Sequence, residues 1–296
     1  MASALRSVCE QTLDLSRYEV IVVDNNSTDE TKQYIVDVSR TFSHIRYCFE
    51  EKQGLSYSRN SGFHTAHGQY IAYIDDDCTV PNNWLYLAQE IIERVGPAMF
   101  GGPYHPFYNA MKPRWYRDSY GSYDMGPVAR ALATGEYLCG TNMFFRRRVL
   151  EQLGGFNPEV GMVGKQLGYG EETVIQRRIC GELPEELVYY DPRLIVYHLV
   201  RSEKMRILWC ARQMFASGRD WQRVLDETSH ARVQAPLRSC VRVVRAVCSL
   251  VKGLVHGVVV RDRSRYPFAA NYLYEVVFVQ LQALGAALEQ LKHRSS

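Results

Sequence analysis

The amino-acid sequence predicts an α/β fold in which helices flank a mostly parallel sheet and a helical segment follows at the C-terminus. Strand-like and helix-like patterns alternate through the first 200 of the 296 residues, the order that builds a parallel sheet. Two acidic turns directly follow strand-like runs, and the pattern after Arg201 is helical. With 46% apolar and 23% charged residues, the composition excludes disordered, collagen-like and disulfide-scaffold proteins.

The elements of the predicted sheet follow one another in a regular order. Strands are predicted at 18–24, 45–49, 70–74, 137–146 and 187–197, and helices at 29–40, 55–67, 84–95 and 171–179. The β-branched first strand ends in an Asp-Asn-Asn-Ser turn, after which Ser27 or Thr28 can cap the first of these helices. In parallel sheets ligands bind beyond the carboxyl ends of the strands. The turns at Asp24 and at Asp75 to Asp77 therefore mark the expected site.

Charge is divided unevenly along the chain. Residues 201–296 hold 16 Lys and Arg against 7 Asp and Glu, a balance of +9, whereas residues 1–200 hold 19 against 25, a balance of −6. We therefore expect a catalytic domain over 1–200 and a basic helical region over 201–296. Such a basic region favours nucleic acid or an anionic membrane as partner. Nucleic acid is disfavoured, because the cations alternate with Val and Leu on a helix instead of clustering on loops.

The most apolar part of the basic region is 241–260. Its polar positions recur at three- and four-residue steps and form one basic stripe beside a broad Val, Leu and Ala face; they are Arg242, Arg245, Ser249, Lys252 and His256. Two interpretations stay open here: a helix lying in a membrane interface, and a core helix of a helical subdomain with one wet edge. No window reaches 18 uncharged apolar residues, so no transmembrane helix is predicted.

The cysteines indicate the compartment. All eight lie far apart, without a Cys-x-x-Cys pair, and the N-terminus has no signal-peptide pattern. Zinc and disulfide frameworks need closer clustering or a secretory context. We therefore expect a cytoplasmic protein.

The strongest chemical feature is the run of Asp75, Asp76 and Asp77 at a strand end. Three adjacent carboxylates repel one another, so a fold that packs them together commonly offsets their charge with a hard cation such as Mg²⁺ or Mn²⁺. A solvated acidic turn is the alternative interpretation.

Five other residues are candidates for the same site as this run. Asp24 ends a strand at the same sheet edge and can accept hydrogen bonds from a nucleobase or ribose. Arg59 can pair with phosphate or be an ordinary surface arginine. Glu171 and Glu172 begin a helix, where acidic residues often only compensate the helix dipole. His198 follows a strand and can be a buried structural histidine.

Four segments in order resemble the successive motifs of family 2 glycosyltransferases. They are Val-Val-Asp-Asn-Asn-Ser-Thr-Asp-Glu-Thr (22–31), Gly-Leu-Ser-Tyr-Ser-Arg-Asn-Ser-Gly (54–62), Tyr-Ile-Asp-Asp-Asp (73–77) and Gly-Glu-Glu-Thr (170–173). Gly-Thr-Asn-Met-Phe-Phe-Arg-Arg (140–147) and Leu-Gly-Gly-Phe (153–156) also match the bacterial branch. The resemblance covers residues 2–220 and implies a GT-A fold, with a Rossmann-like sheet, and an inverting enzyme that uses nucleotide-sugars.

The resemblance also implies residue roles. The donor would be bound by Asp24, Asn26, Arg59, Asp75 and Asp76, and Mg²⁺ or Mn²⁺ by Asp77, Asp75 and His198. The base would be Glu172 or its neighbour Glu171, because the family's Glu-Asp pair reads Glu-Glu in this sequence. The acceptor side would include Trp115 and Tyr116, from an aromatic loop, together with Asn142 and Phe156 of the matching segments. Inversion then needs one base for the acceptor hydroxyl and a cation for the leaving diphosphate.

The implied reaction moves a sugar, from a UDP-sugar for preference, to a saccharide or lipid-linked acceptor in cell-surface polysaccharide or glycolipid synthesis. The basic helices would hold the enzyme peripherally against the anionic inner face of the cell membrane. Family members normally begin with a further strand, so we expect either that the true start lies upstream or that the chain is truncated. Two other functions stay open: a catalytically impaired nucleotide-sugar-binding or membrane scaffold protein, and a nucleotidyltransferase.

Overall fold

A computed structural model describes residues 1–162, 164, 167–228 and 236–292, without the side chains of 236–238. Parts of the predicted basic region, at 229–235 and 293–296, thus lie outside the described residues. The chain divides into two units, and it passes from the first to the second for the last time between Leu199 and Val200. The first unit comprises Met1–Phe107, Gly121–Glu159 and Glu171–Leu199, and the second Tyr108–Tyr120, Val160–Gly170 and Val200–Ser296.

Strands and helices alternate in the first unit, whereas the described part of the second is mainly helical. The strands are β1 (Val20–Asp24), β2 (Ile45–Phe49), β3 (Tyr70–Tyr73), β4 (Cys78–Thr79), β5 (Met99–Gly101), β6 (Tyr104–Phe107), β7 (Arg130–Ala131), β8 (Met143–Arg146), β9 (Val188–Tyr190) and β10 (Val196–Leu199). The helices of the first unit are α1 (Ala2–Cys9), α2 (Thr31–Ser39), α3 (Leu55–Thr65), α4 (Trp84–Arg94), α5 (Arg147–Leu153) and α6 (Glu171–Glu182). Those of the second are α7 (Ile207–Thr228), α8 (Pro236–Val259), α9 (Ala269–Tyr272) and α10 (Phe278–Lys292), with a π-helical segment at Leu273–Val277.

The strands form three sheets, in the orders β1-β2, β4-β10-β6 and β3-β8-β5-β9-β7. The pairs β1 with β2, β10 with β6 and β5 with β9 are parallel, and the other pairs are antiparallel. The α/β class is therefore confirmed, but the pairing is mixed and not mostly parallel. Parallel neighbours usually need a crossover helix, and the only helical element that the structure describes between β5 and β8 is a short 3₁₀ turn at Asp118–Tyr120. Strand β8 accordingly enters antiparallel to both β3 and β5.

The core of the first unit surrounds β8. Its residues Met143, Phe144 and Phe145 are almost completely buried, as expected for a continuous apolar run in a strand that is covered on both faces. Phe144 stacks on Phe100 of β5, with ring centroids 4.6 Å apart, and packs against Trp84 of α4. The central sheet is thereby fixed between two apolar clusters, which gives the residues at its edge a rigid support.

In the second unit, helix α10 packs against both α7 and α8. Glycines allow the first contact: a Cβ on Gly218 of α7 would collide with the carbonyl of Gln282, and one on Gly285 of α10 with the carbonyl of Phe215. A cluster of tyrosines, including Tyr116, Tyr266 and Tyr272, fills the core of this unit. None of the described helices combines the length and the apolar character that crossing a bilayer requires.

Candidate active site

Asp24 occupies the carboxyl end of β1 and is 4% exposed. Its Oδ1 accepts a hydrogen bond from the backbone N–H of Ser27 at 2.9 Å, and its Oδ2 accepts one from the Tyr47 hydroxyl at 2.9 Å. Burial opposes ionisation of Asp24, but these hydrogen bonds outweigh it and lower the pKa of the carboxyl. A fixed, ionised carboxylate therefore lies at the strand end where the sequence predicts it.

The turn after Asp24 is tied to the segment that leads into α3. The Oδ1 atom of Asn25 accepts a hydrogen bond from the backbone N–H of Gly54 at 2.7 Å, and its Nδ2 atom donates one to the carbonyl of Lys52 at 2.6 Å. Asn26 adopts a left-handed φ of 58°, a conformation that asparagine tolerates better than most residues, and donates to the carbonyl of Glu51 at 3.2 Å. Sequence reasoning missed the part played by Asn25, although its place in the Asp-Asn-Asn turn suggests a bonding side chain.

The three aspartates between β3 and β4 differ in their surroundings. Asp76 is exposed, Asp75 has 33% of its side chain exposed, and Asp77 only 10%. Burial raises the pKa of the Asp75 carboxyl to about 6. The Arg59 guanidinium opposes this rise, and the Asp77 carboxylate adds to it. The run is therefore not a uniformly solvated acidic turn, because two of its carboxylates face the protein.

Asp77 meets His198 across the strand pair β4 and β10. The antiparallel register places His198 opposite Cys78, and the Nε2 atom of His198 lies 3.4 Å from Oδ1 of Asp77. The Cys78 thiol belongs to the same cluster, since its sulfur and these two groups lie within 4.8 Å of one another. Burial, Asp75 and Asp77 all raise the pKa of the Cys78 thiol. A carboxylate and an imidazole that converge in this way fit a divalent cation.

Arg59, on α3, is 6% exposed and pairs with a glutamate that is equally buried. Its Nη1 atom lies 2.6 Å from Oε1 of Glu171, its Nη2 donates to the carbonyl of Gly140 at 3.3 Å, and the same Nη2 lies 3.9 Å from Oδ1 of Asp75. The surface-arginine alternative is wrong, because the guanidinium is enclosed by these protein groups, whereas the donor-binding role of Arg59 stays a prediction. Arg59 ties the aspartate run to the start of α6.

The two glutamates at the start of α6 are not equivalent. Glu171 is 4% exposed, with Oε1 held by Arg59 and Oε2 buried without a hydrogen-bond partner among the residues that the structure describes. Burial and the neighbouring Glu172 raise the pKa of Glu171 to about 7 in spite of Arg59. Glu172 is only partly buried, so its carboxylate remains accessible to a second molecule.

Gly140 keeps the space between Arg59 and Glu172 open. A Cβ on Gly140 would lie 3.0 Å from Nη2 of Arg59 and 3.3 Å from Cδ of Glu172. Both distances are tight enough that either side chain would have to move. The sequence motif around Gly140 gave no indication of this role.

We expect Gly140→Ala to lower the rate of catalysis by several-fold, because the neighbouring side chains must give by only a few tenths of an ångström and a misplacement of about 1 Å can cost roughly 100-fold. The measurement is kcat of the purified variant. Gly181→Ala is the matched control, since Gly181 lies in α6 and an added Cβ would have no atom of the described part of the chain within 4 Å. Equal activity of the two variants would show that Gly140 does not position the site.

The acceptor-side predictions need correction at the buried positions. Asn142 is 0% exposed, donates to the carbonyls of Leu194 and Pro103, and accepts from the Trp84 indole N–H. Phe156 is 2% exposed and its ring lies under the Arg59 guanidinium, 5.4 Å from ring centroid to Cζ. Neither side chain has a surface that an acceptor could touch, so both support the site from within the core.

The other two acceptor-side residues belong to the second unit. Tyr116 is buried in its aromatic cluster, which corrects the prediction of direct acceptor contact for this residue. Trp115 is partly exposed, and its carbonyl accepts a hydrogen bond from the Asn271 amide at 2.5 Å. The acceptor role of Trp115 stays a prediction.

Comparison with known proteins shows which family this chain resembles. The model of glycosyl transferase family 2 matches residues 1–154. The succinoglycan biosynthesis protein ExoM of Rhizobium meliloti is 27% identical over 240 residues, which cover 79% of this chain and 74% of that protein. The glucosyl-dolichyl phosphate glucuronosyltransferase of Haloferax volcanii is 27% identical over 232 residues, covering 76% and 72%.

A solved structure shows the same fold. The mannosyltransferase PcManGT of Pyrobaculum calidifontis, in complex with GDP-Man and Mn²⁺, superposes with a TM-score of 0.64 at 16% identity. The match covers 99% of this chain and 83% of the mannosyltransferase. At this level of identity the likeness establishes the architecture alone.

Proposed function

This chain belongs to glycosyl transferase family 2, and from that premise we propose that it is a metal-dependent inverting glycosyltransferase. Its donor would be a nucleoside diphosphate sugar, with UDP-sugars favoured, and its acceptor a hydroxyl of a saccharide or lipid-linked saccharide. Asp24 at the end of β1, Asn26 in the turn after it, and Asp75 and Asp76 between β3 and β4 are the residues proposed to bind the donor.

Glu172 is the proposed general base. In a direct displacement, the acceptor oxygen attacks the anomeric carbon, a new C–O bond forms, and the bond to the diphosphate breaks with its electron pair. The base takes the proton of the attacking hydroxyl. Glu172 suits this step better than Glu171, because Arg59 holds one oxygen of Glu171 and the protein encloses the other.

Asp77 and His198 are the proposed metal ligands, with Asp75 nearby. A bound divalent cation would supply charge neutralisation on the leaving diphosphate. Carboxylates suit both Mg²⁺ and Mn²⁺, and the mannosyltransferase structure contains Mn²⁺. The observation that carries the proposal is this Asp77–His198 pair, which lies in the same unit as Asp24 and the two glutamates.

The proposed place of action is the cytoplasmic face of the cell membrane, in polysaccharide or glycolipid synthesis. The name of the Haloferax relative states that it acts on a dolichyl-phosphate-linked sugar, which supports a lipid-linked acceptor for this chain. Peripheral attachment to anionic lipid through the basic helices would bring the enzyme to such an acceptor.

Release of a nucleoside diphosphate tests the function. The purified chain is incubated with Mn²⁺ or Mg²⁺ and a panel of UDP- and GDP-sugars, first alone and then with saccharide or lipid-linked acceptors. Donor-dependent release of UDP or GDP supports the proposal. Donor binding in calorimetry without turnover would instead indicate a scaffold protein, and release of pyrophosphate a nucleotidyltransferase.

We expect Asp77→Asn combined with His198→Gln to raise the metal concentration needed for half-maximal activity by about 100-fold or more, since even outer-shell changes cost 10- to 100-fold. Mn²⁺ binding, followed by electron paramagnetic resonance, should weaken in parallel. Asp37→Asn serves as the control, because Asp37 lies on the exposed surface of α2. Unchanged Mn²⁺ affinity in the double variant would refute the metal site.

A further inference from the structure

Helix α8 packs into the second unit mainly through small side chains. The described positions of α8 that are buried or partly buried recur at three- and four-residue steps and form its inner face; they are Ser239, Val243, Ala246, Leu250, Gly253 and Gly257. A Cβ on Gly257 would collide with the ring of Tyr272, and one on Gly253 would touch Val277 at 3.5 Å. The inner face is therefore narrow and closely packed.

Most of the described large aliphatic side chains of α8 point outward, although Val243 and Leu250 belong to the inner face. The outward-pointing ones form an exposed aliphatic band, which consists of Val241, Val244, Val247, Val251, Leu254, Val255, Val258 and Val259. Each of these side chains is at least 41% exposed, and Val258 reaches 88%. A soluble helix normally buries such a band, so the core-helix interpretation of the sequence pattern is not what the structure shows for this face.

A third face of α8 carries the basic stripe. Helix α8 contains no Asp or Glu. Arg242 and Arg245 line a cleft of ≈ 270 Å³, together with Ser249, Gln280 and a floor of alanines from α10. Arg242 also donates to Gln290 at 3.1 Å, whereas Arg245 forms no ion pair with any residue that the structure describes. Arginine is the side chain best suited to binding phosphate.

We propose that the aliphatic band and the neighbouring basic cleft form one docking surface for an anionic phospholipid membrane. The band would enter the boundary between headgroups and acyl chains, and the cleft would receive a lipid phosphate through Arg242, Arg245 and Ser249. This inference rests on the proposed function, which it deepens by naming the surface that meets the membrane.

Two features favour lipid over a protein partner. The exposed band is purely aliphatic, whereas protein interfaces are enriched in Tyr, Trp, Phe and Met. The cations lie along one flank of the band with no acidic residue on the helix to neutralise them, which is the arrangement of a helix lying in an anionic interface. A second copy of the chain would set like charges beside each other.

Sedimentation of the full-length protein with vesicles tests the band. Vesicles of phosphatidylcholine and phosphatidylglycerol in equal amounts should bind the protein, and vesicles of phosphatidylcholine alone should bind it far less. Val251→Asp combined with Val255→Asp should weaken binding by roughly 100-fold, because two inserted aliphatic groups are replaced by charges. Val128→Asp combined with Leu208→Asp is the matched control, since both side chains are exposed elsewhere on the chain.

The cleft is tested by comparing cations on the same stripe. Arg242→Gln combined with Arg245→Gln should weaken binding to the mixed vesicles by about 30-fold, from the loss of two basic groups near an anionic surface. Lys252→Gln removes a cation of the stripe that does not line the cleft. It should weaken vesicle binding by a smaller factor than each of the two arginine substitutions does. Equal losses per residue would refute the cleft as a phosphate site.

Failure of the docking surface can be distinguished from failure of the proposed enzymatic function. Absence of vesicle binding by the wild-type chain refutes the docking surface, whatever its activity toward soluble acceptors. Concentration-dependent dimers in analytical ultracentrifugation that the double aspartate variant abolishes, without any vesicle binding, would assign the band to a second copy. Circular dichroism should be unchanged in every variant, because the altered side chains are exposed.

Discussion

Replacing Glu172 by Gln is expected to lower kcat for sugar transfer by about 1,000-fold, the middle of the range for loss of a general base. The amide keeps the shape of the side chain but cannot accept the proton of the attacking hydroxyl. Donor affinity should stay within about twofold, because only the transition state loses an interaction. Single-turnover kinetics and donor titration by calorimetry measure the two quantities separately.

Two further variants make this result specific. Glu172→Asp keeps a carboxylate and should recover part of the lost rate, whereas a purely structural defect would not be rescued by it. Glu151→Gln is the control for loss of an exposed glutamate, since 56% of its side chain is exposed. If Glu172→Gln keeps wild-type kcat, Glu172 is not the base.

The positions of the site carboxylates could be predicted because they depend on strand ends. The buried run of β1 and the motif at 73–77 place Asp24 and the aspartate run at sheet edges whatever the detailed packing. Their different exposures could not be predicted in this way. Asp76 faces solvent and Asp77 faces His198 only because β4 and β10 pair in one particular register, and register depends on contacts between residues distant in sequence.

The surroundings of Arg59 lie beyond sequence reasoning for a related reason. From the sequence alone, an arginine near a predicted phosphate site is interpreted as a phosphate ligand, because the sequence gives its residue type but not its partners. Its actual partners, Glu171 and the carbonyl of Gly140, come from two later segments of the chain. Only the packed fold shows that the guanidinium contacts these groups.

Helix α8 shows a different limit. Its apolar periodicity is the same whether the aliphatic face points inward or outward, so the hydrophobic pattern left two interpretations open. The stripe of small residues that includes Ala246, Gly253 and Gly257 was visible in the sequence and identifies the inner face, because small side chains allow close helix packing. Small residues therefore indicated the packed side better than hydrophobicity did.

The buried pair of Arg59 and Glu171 yields the largest expected effect on stability. At about pH 8, above the pKa of about 7 of the Glu171 carboxyl, Glu171→Gln should lower the free energy of unfolding by about 3 kcal/mol, because it leaves the buried guanidinium without its closest counter-charge. Asp75, 3.9 Å from the guanidinium, retains part of the compensation, which places the expected cost at the low end for a broken buried pair. Urea unfolding followed by circular dichroism measures this loss.

The matching experiment separates stability from catalysis. Arg59→Met combined with Glu171→Leu removes both charges, and apolar replacement of a buried ion pair is often neutral for folding; its free energy of unfolding should return to within about 1 kcal/mol of wild type. Activity should not return, because Glu172 would lose the Arg59 and Glu171 framework that surrounds it. Glu10→Gln, which breaks an ion pair whose side chains are 75% and 56% exposed, should change stability by less than about 1 kcal/mol. A double variant as unstable as Glu171→Gln alone would show that the pair is not the source of the loss.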